Sequence, residues 1–161
     1  PRSAIALGKV LGATTLAVLQ AIIFLFLGPL AGIPVSALSV VVSFCAMLIV
    51  AFSVTSLGFF IAWRMESTQG FHAVMNLFLM PMLILSGAFF PPAGSSRWLY
   101  WVMMLNPMTY GVTLLRWAVH LAVGGSQEGW LAGLLVSVGF AAIMFFVLIR
   151  SVTRETAHAI H

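Results

Sequence analysis

Four long apolar runs constrain this chain more than any other feature of its sequence. They cover residues 10–27, 36–62, 71–89 and 129–149. Crossing the hydrocarbon core of a bilayer takes about 20 consecutive apolar residues, with a range of about 17–25. We therefore predict an all-α integral membrane domain with four membrane-spanning helices.

The composition excludes a water-soluble fold. Hydrophobic residues make up 62% of the 161 residues and charged residues only 6%, whereas a soluble domain carries about 25% charged residues. Seven Lys and Arg residues against three acids give a net charge of +4. These basic residues stand singly at the ends of apolar runs instead of forming a patch, so we expect no nucleic-acid partner and take the lipid bilayer as the solvent.

The stretch between the third and fourth runs is broken into pieces too short to span. It predicts two short helices, at about 97–105 and 107–123. Proline disfavours helix in the residue before it, and Asn106 followed by Pro107 is a good helix start. A fifth span over the second piece is the alternative, but Arg116 would then lie in mid-membrane, at a cost of about 2.5–3.5 kcal/mol. We favour two re-entrant or interfacial helices on the outer side.

The distribution of charge predicts the orientation. Five basic residues fall on one side of the four predicted spans: Arg2, Lys9, Arg64, Arg150 and Arg154. Arg97 and Arg116 fall on the other side. Because basic residues concentrate in cytoplasmic loops, we expect both ends of the chain to be cytoplasmic and the broken stretch to be outside. Most Trp and Tyr residues cluster near that stretch, as in an interfacial belt: Trp98, Tyr100, Trp101, Tyr110, Trp117 and Trp130.

Several motifs of catalysis and binding are missing from the sequence. It contains no GxxxxGK[ST] phosphate loop, no HExxH and no Cys/His cluster, so we predict no catalytic, cofactor or metal site in this chain. The spans also lack ionisable residues away from their ends, and proton-coupled carriers need such residues. If the chain transports, its energy is therefore expected from elsewhere.

The polar residues within the spans are expected to join helices, with two exceptions that are candidates for lining a substrate path, Gln20 and Asn76. Small residues predict packing faces, within the chain or between chains, because they allow helix backbones to approach closely. They recur every four positions in two spans: Ala13, Ala17 and Ala21, and Gly129, Gly133, Ser137 and Ala141.

The connection between the second and third runs is a polar island on the predicted cytoplasmic side. Its residues are Arg64, Met65, Glu66, Ser67, Thr68, Gln69 and Gly70. The acid, the serine and the threonine precede an apolar run, as N-terminal acids and caps of a helix do. The residues alone leave two interpretations open, a solvated turn or a contact surface for a cytoplasmic partner.

Three segments resemble the membrane subunits of ABC-2 type exporters, in particular bacterial permeases of drug-resistance and nodulation-factor export. They read GKVLGATTLAVLQAIIFL, MESTQGFHAVMNLFLMPMLILSGAFFP and LNPMTYGVTLLRWAVH. The most specific positions form an outer re-entrant motif: Ser86, Gly87, Pro91, Asn106, Pro107, Tyr110 and Arg116. One departure is Thr113, where an acid near Arg116 is common, and Glu128 is a candidate substitute for it.

The resemblance implies a six-span permease of which this chain is the last four spans. Two permease subunits would pair, as a homodimer or heterodimer, and each would dock on a separate cytoplasmic ATP-binding subunit that holds ATP and Mg²⁺. Docking would use short helices, with residues 2–9 as the tail of one and residues 64–70 as the other. The outer helices would lie at the mouth of the export path, and the membrane would be the bacterial inner membrane.

Three hypotheses for function follow. The leading one is the permease half of an ATP-driven exporter, whose apolar path suits an amphipathic cargo such as a drug, a lipid or a lipid-linked sugar. The second is a non-transporting membrane scaffold or assembly subunit. The third is an intramembrane enzyme that uses Tyr110, Arg116 and His120, although no carboxylate or nucleophile completes a site within that run.

Overall fold

The computed structural model describes residues 2–90, 92, 94–124 and 129–158, and every regular element among them is helical. Six α-helices follow one another along the chain: α1 Arg2–Leu27, α2 Ala37–Trp63, α3 Thr68–Leu83, α4 Arg97–Leu105, α5 Pro107–His120 and α6 Trp130–His158. Four segments are long and apolar enough to cross a bilayer: Ala4–Ala31, Ala37–Trp63, Thr68–Ala88 and Trp130–Thr153. The predicted all-α fold with four spanning helices is confirmed.

The first span begins earlier than its apolar run. Helix α1 is continuous from residue 2, so residues 2–9 are not a separate short helix, contrary to what the resemblance implied. No proline interrupts this segment, and its side chains take part in packing. Ala6 and Val10 are buried against Leu148 and Val152 of α6, which extends the hydrophobic core to this end of the bundle.

The same end carries basic side chains stacked on aromatic rings, and we call it the basic end. Lys9 lies 5.9 Å from the ring centroid of Phe59, and Arg64 follows α2 as its C-terminal cap residue. Arg150 lies near the end of the apolar part of α6. Cations held over aromatic faces are stabilised by about 0.5–1 kcal/mol at exposed sites.

Small residues let α5 and α6 pack closely, as the sequence predicted for the fourth span. Gly133, Ser137 and Ala141 are buried, whereas Gly129 is exposed. A methyl group added at Gly133 would lie 3.0 Å from the backbone oxygen of Tyr110 in α5. Contact this close is the reason for glycine at this position.

The predicted ridge on the first span, Ala13, Ala17 and Ala21, is not the face that α1 buries against the other helices of this chain, and its packing between chains stays a prediction. Ala13 is exposed, and α1 faces the bundle with Val10, Thr14 and Val18, which have the same four-residue spacing. The Thr14 hydroxyl lies 2.8 Å from the Thr55 hydroxyl of α2. This hydrogen bond between two spans is the role that we predicted for polar residues inside them.

The two short helices lie against the spans. Helix α5 has 14 residues and is about 21 Å long, which is too short to cross a hydrocarbon core of about 30 Å. Its Gly111 lies beside Val50, in the middle of α2: a methyl group added there would be 3.0 Å from Cγ2 of that valine. Helix α5 therefore packs against the middle of α2.

Candidate functional site

The third span ends in a distorted turn that frees backbone carbonyls. Pro81 lies inside α3, and residues 84–88 form a π-helical turn that contains Gly87 at φ 82°. That conformation strains any residue with a Cβ, so glycine is required there. Carbonyl oxygens at a helix C-terminus have no partner within the helix, and when buried they need another donor.

Asn106 supplies one of these donors from the turn between α4 and α5. Its Nδ2 donates to the carbonyl oxygen of Met82 at 2.6 Å, while its Oδ1 accepts from the backbone N–H of Met108 at 3.0 Å. The predicted N-cap of α5, with Pro107 at the first helical position, is confirmed. Asn106 is 8% exposed, so both bonds form away from water.

Thr109 lies between α4 and the end of the third span, and its role was not predicted from the sequence. Its hydroxyl lies 2.6 Å from the carbonyl oxygen of Met103 and 3.4 Å from that of Leu85. The side chain is 2% exposed. Its position three residues after the Asn106 cap was the available signal, because such a side chain lies above the start of the helix.

Arg116 binds the end of the third span from the far end of α5. Its Nη2 donates to the carbonyl oxygen of Gly87 at 2.6 Å and lies 3.4 Å from that of Ala88. A cation at a helix C-terminus is favoured by the helix dipole. Backbone carbonyl oxygens, and not the acidic side chain expected from the resemblance, are therefore the partners of Arg116. Glu128, the suggested substitute, lies outside the described residues.

These three side chains, Asn106, Thr109 and Arg116, form what we call the polar clasp. Asn106 and Arg116 donate to carbonyl oxygens in the last two turns of the third span. The Thr109 hydroxyl donates to Met103 of α4 and lies 3.4 Å from the carbonyl oxygen of Leu85. Thr113, on the same helix, does not take part, because its hydroxyl donates to Thr109 of its own helix at 2.8 Å.

Most of the outer motif predicted from the sequence lies in or beside the clasp. Ser86 is buried and donates to the carbonyl oxygen of Leu83 at 2.6 Å. The Tyr110 hydroxyl donates to the carbonyl oxygen of Met104 at 3.0 Å, which ties α5 to α4. Pro91, the remaining member, lies outside the described residues. The motif therefore supports the backbone at the end of α3.

An apolar cleft of about 600 Å³ opens beside the turn between α4 and α5. Helices α2, α3 and α6 contribute to its walls, with Leu57, Phe78 and Phe140 among the lining side chains. Asn106 is the one lining residue with a side-chain amide, and one of the two N–H donors of that amide is bonded to Met82. The cleft thus offers apolar contact within the spanning part of the bundle.

The connection 64–70 is exposed at the basic end. Arg64, Glu66, Thr68 and Gln69 are exposed, whereas Met65 and Gly70 are partly buried. Ser67 caps α3, since its hydroxyl oxygen accepts from the backbone N–H of Gly70 at 3.0 Å. The connection is a short turn that passes directly into the third span.

We expect Ser67→Ala to destabilise the first turn of α3 by about 1 kcal/mol, the usual cost of losing a serine N-cap. Hydrogen exchange of the backbone amides of residues 68–72 measures this effect as faster exchange. Thr68→Ala is the matched control, because no hydrogen bond of its side chain caps the helix. Equal exchange in both variants would contradict the capping role.

Gln20 and Asn76, the predicted path residues, lie apart from the clasp. Both are exposed, on α1 and α3 respectively. Neither lines the cleft beside Asn106. Within this chain they face outward from the bundle.

The comparisons with known proteins bear on this architecture. Residues 1–120 match the model of the ABC-2 type transporter family. No curated protein and no solved structure matches the chain. Because the match covers most of the chain and the fold has four apolar helices of spanning length, the chain belongs to the ABC-2 type transporter family and is a multi-pass membrane component of an ABC transporter.

Proposed function

We propose that this chain is the permease subunit of an ATP-driven exporter in the bacterial inner membrane. The observation that carries the proposal is the family match over residues 1–120. The sequence supports it, because it lacks a phosphate loop and has no ionisable residue in the middle of a span. We propose that ATP and Mg²⁺ bind to a separate cytoplasmic subunit, which supplies the energy.

The connection 64–70 is our proposed docking surface for that subunit. It is exposed and carries both charges, on Arg64 and Glu66. The Ser67 cap fixes it to the start of α3, so a force on the connection would displace this helix. At the other end of α3, the polar clasp would pass the displacement to α5.

We further propose that two permease subunits, identical or different, enclose the export path. Exposed polar side chains inside an apolar span, as at Gln20 and Asn76, are costly against lipid unless they face protein or water. The apolar cleft at Asn106 suits the apolar part of an amphipathic cargo, such as a drug, a lipid or a lipid-linked sugar. The turn between α4 and α5 would then act as a re-entrant outer gate.

The hydrogen bonds of Tyr110 and Arg116 argue against an intramembrane enzyme. Tyr110 and Arg116, two of the three residues such an enzyme would use, direct their polar groups to backbone carbonyls. A nucleophile or general base needs a free reacting group within reach of substrate. These side chains stabilise the fold instead.

The test is to replace residues 64–70 with a Gly/Ser segment of equal length in the assembled transporter. We expect the ATP-binding subunit to detach, or to hydrolyse ATP without driving transport in proteoliposomes, because the docking surface is gone. Arg97→Gln, at the other end of the bundle, is the control and leaves coupling unchanged. Full transport by the replaced chain would show that docking lies elsewhere, and intact assembly with no transport by the parent chain would favour the scaffold hypothesis.

A further inference from the structure

A second cleft lies at the basic end, between the end of α2 and the last turns of α6. It has a volume of about 690 Å³. Two guanidinium groups line it, from Arg64 and Arg150, together with Trp63 and the hydroxyl-bearing Ser151. One carboxylate, that of Glu66, also lines it, so the cleft carries one net positive charge.

Aromatic rings, and not acids, hold the two guanidinium groups. The Cζ atom of Arg64 lies 5.1 Å from the ring centroid of Phe60, and that of Arg150 lies 5.9 Å from that of Phe146. Neither guanidinium donates a hydrogen bond or forms an ion pair with any residue that the structure describes. Each has five N–H donors in a fixed planar array. The cleft therefore presents two oriented cations whose donors remain available.

The position of the cleft indicates which class of ligand it binds. It lies where two spanning helices leave their apolar segments, next to a tryptophan, which is the level of lipid headgroups. Phe146 lines the cleft and is 61% exposed, so an apolar surface continues from the cations into the spanning part of α6. A ligand that fits both surfaces has an anionic head and an acyl tail.

We propose that this cleft binds the phosphodiester headgroup of an anionic phospholipid from the adjacent leaflet. Arginine binds phosphate oxygens with paired N–H donors, and basic pockets between membrane helices recognise such headgroups. The single net positive charge matches the single charge of a phosphodiester such as that of phosphatidylglycerol. The bound lipid would stabilise the packing of α6 against the end of α2. Lipid binding at this site does not require the ATP-binding subunit.

The proposal is tested by titrating the purified membrane protein in detergent with phosphatidylglycerol or phosphatidylcholine. Native mass spectrometry measures the fraction of protein with bound lipid. We expect tighter binding of phosphatidylglycerol. We expect Arg150→Gln to weaken it about fivefold and to leave phosphatidylcholine binding unchanged. Glu66→Gln strengthens phosphatidylglycerol binding, because it removes the one acid of the cleft. Arg97→Gln is the matched control, as it removes a positive charge at the opposite end.

Four outcomes would overturn the proposal. Equal binding of the two lipids would show that the cleft does not recognise the headgroup. The same conclusion would follow from an Arg150→Gln variant that elutes as a folded species and binds phosphatidylglycerol like the parent. Displacement of phosphatidylglycerol by inorganic phosphate at equal concentration would assign the cleft to a soluble anion. Loss of the ATP-binding subunit from Arg150→Gln with lipid binding unchanged would assign it to protein docking. The last result supports the proposed function while it rejects the lipid site.

Discussion

Arg116→Met is expected to destabilise the protein by about 2 kcal/mol, the usual value of a hydrogen bond to a charged group. Methionine keeps an unbranched apolar stem, ends two heavy atoms short of the guanidinium nitrogens and loses the donor to the end of the third span. The carbonyl oxygen of Gly87, bonded to Arg116 at 2.6 Å, would then lack this donor. The free energy of unfolding in mixed micelles, followed by tryptophan fluorescence, measures the loss, since Trp117 stacks on Trp130 at 4.8 Å beside the clasp.

The same variant tests whether Arg116 only stabilises the end of the third span or also transmits movement between α3 and α5. If the clasp couples α5 to α3, we expect Arg116→Met to lose transport while the ATP-binding subunit remains bound at the basic end. Arg116→Lys should recover part of the stability, because an ammonium group keeps the charge near the helix C-terminus but reaches the carbonyl with different geometry.

Thr113→Val is the control for the clasp. Thr113 lies one turn before Arg116 and is partly buried, but its hydroxyl bonds only within its own helix. We expect its replacement to change the free energy of unfolding by less than about 0.5 kcal/mol. Equal losses in Thr113→Val and Arg116→Met would mean that any polar change on α5 destabilises the bundle, and the clasp would then have no special role.

The sequence predicted the fold and much of the local structure, because these depend on strong and local signals. Long apolar runs without charge admit few structures other than spanning helices. The start of α5 followed from the adjacent Asn106 and Pro107, since capping involves neighbours within three residues. The same holds for Ser67 at the start of α3.

The partners of Arg116 could not be predicted, because they are backbone atoms of another helix. A search for its partner in the sequence looks for acids, and it led to Glu128. The carbonyl oxygens that bind it become free only because the third span ends in a π-helical turn at Gly87. Pro81 lies nearby, but the carbonyl oxygen that it leaves without an N–H donor is that of Leu77, so it does not point to the carbonyl oxygens that bind Arg116.

The packing face of α1 shows a second limit of sequence reasoning. Two rows of residues with four-residue spacing run along this helix, one through Ala13 and the other through Val10 and Thr14. Spacing alone cannot choose between them, because both satisfy the helical period. The choice depends on the neighbouring helix, where Thr55 offers a hydroxyl partner to Thr14.

Gly133→Val is expected to have the largest effect on stability of any substitution considered, about 3 kcal/mol. A Cβ at this position would lie 3.0 Å from the backbone oxygen of Tyr110 and 3.3 Å from the backbone nitrogen of Leu114. Neither neighbour is a flexible side-chain end that could move aside, so α5 must shift away from α6. The unfolding free energy in mixed micelles measures the cost.

Gly139→Ala, six residues further along α6, is the matched control for this prediction. A Cβ there meets nothing within 4 Å, and alanine favours helix over glycine by up to about 1 kcal/mol. The two substitutions should therefore change stability in opposite directions, although both remove a glycine from one helix. If both stabilised the protein, the close contact of α5 with α6 would be absent in the membrane, and the short helix would lie away from the bundle at the interface. Since the clasp requires α5 to lie against the bundle, the Gly133 result also decides whether Arg116 can reach the end of the third span.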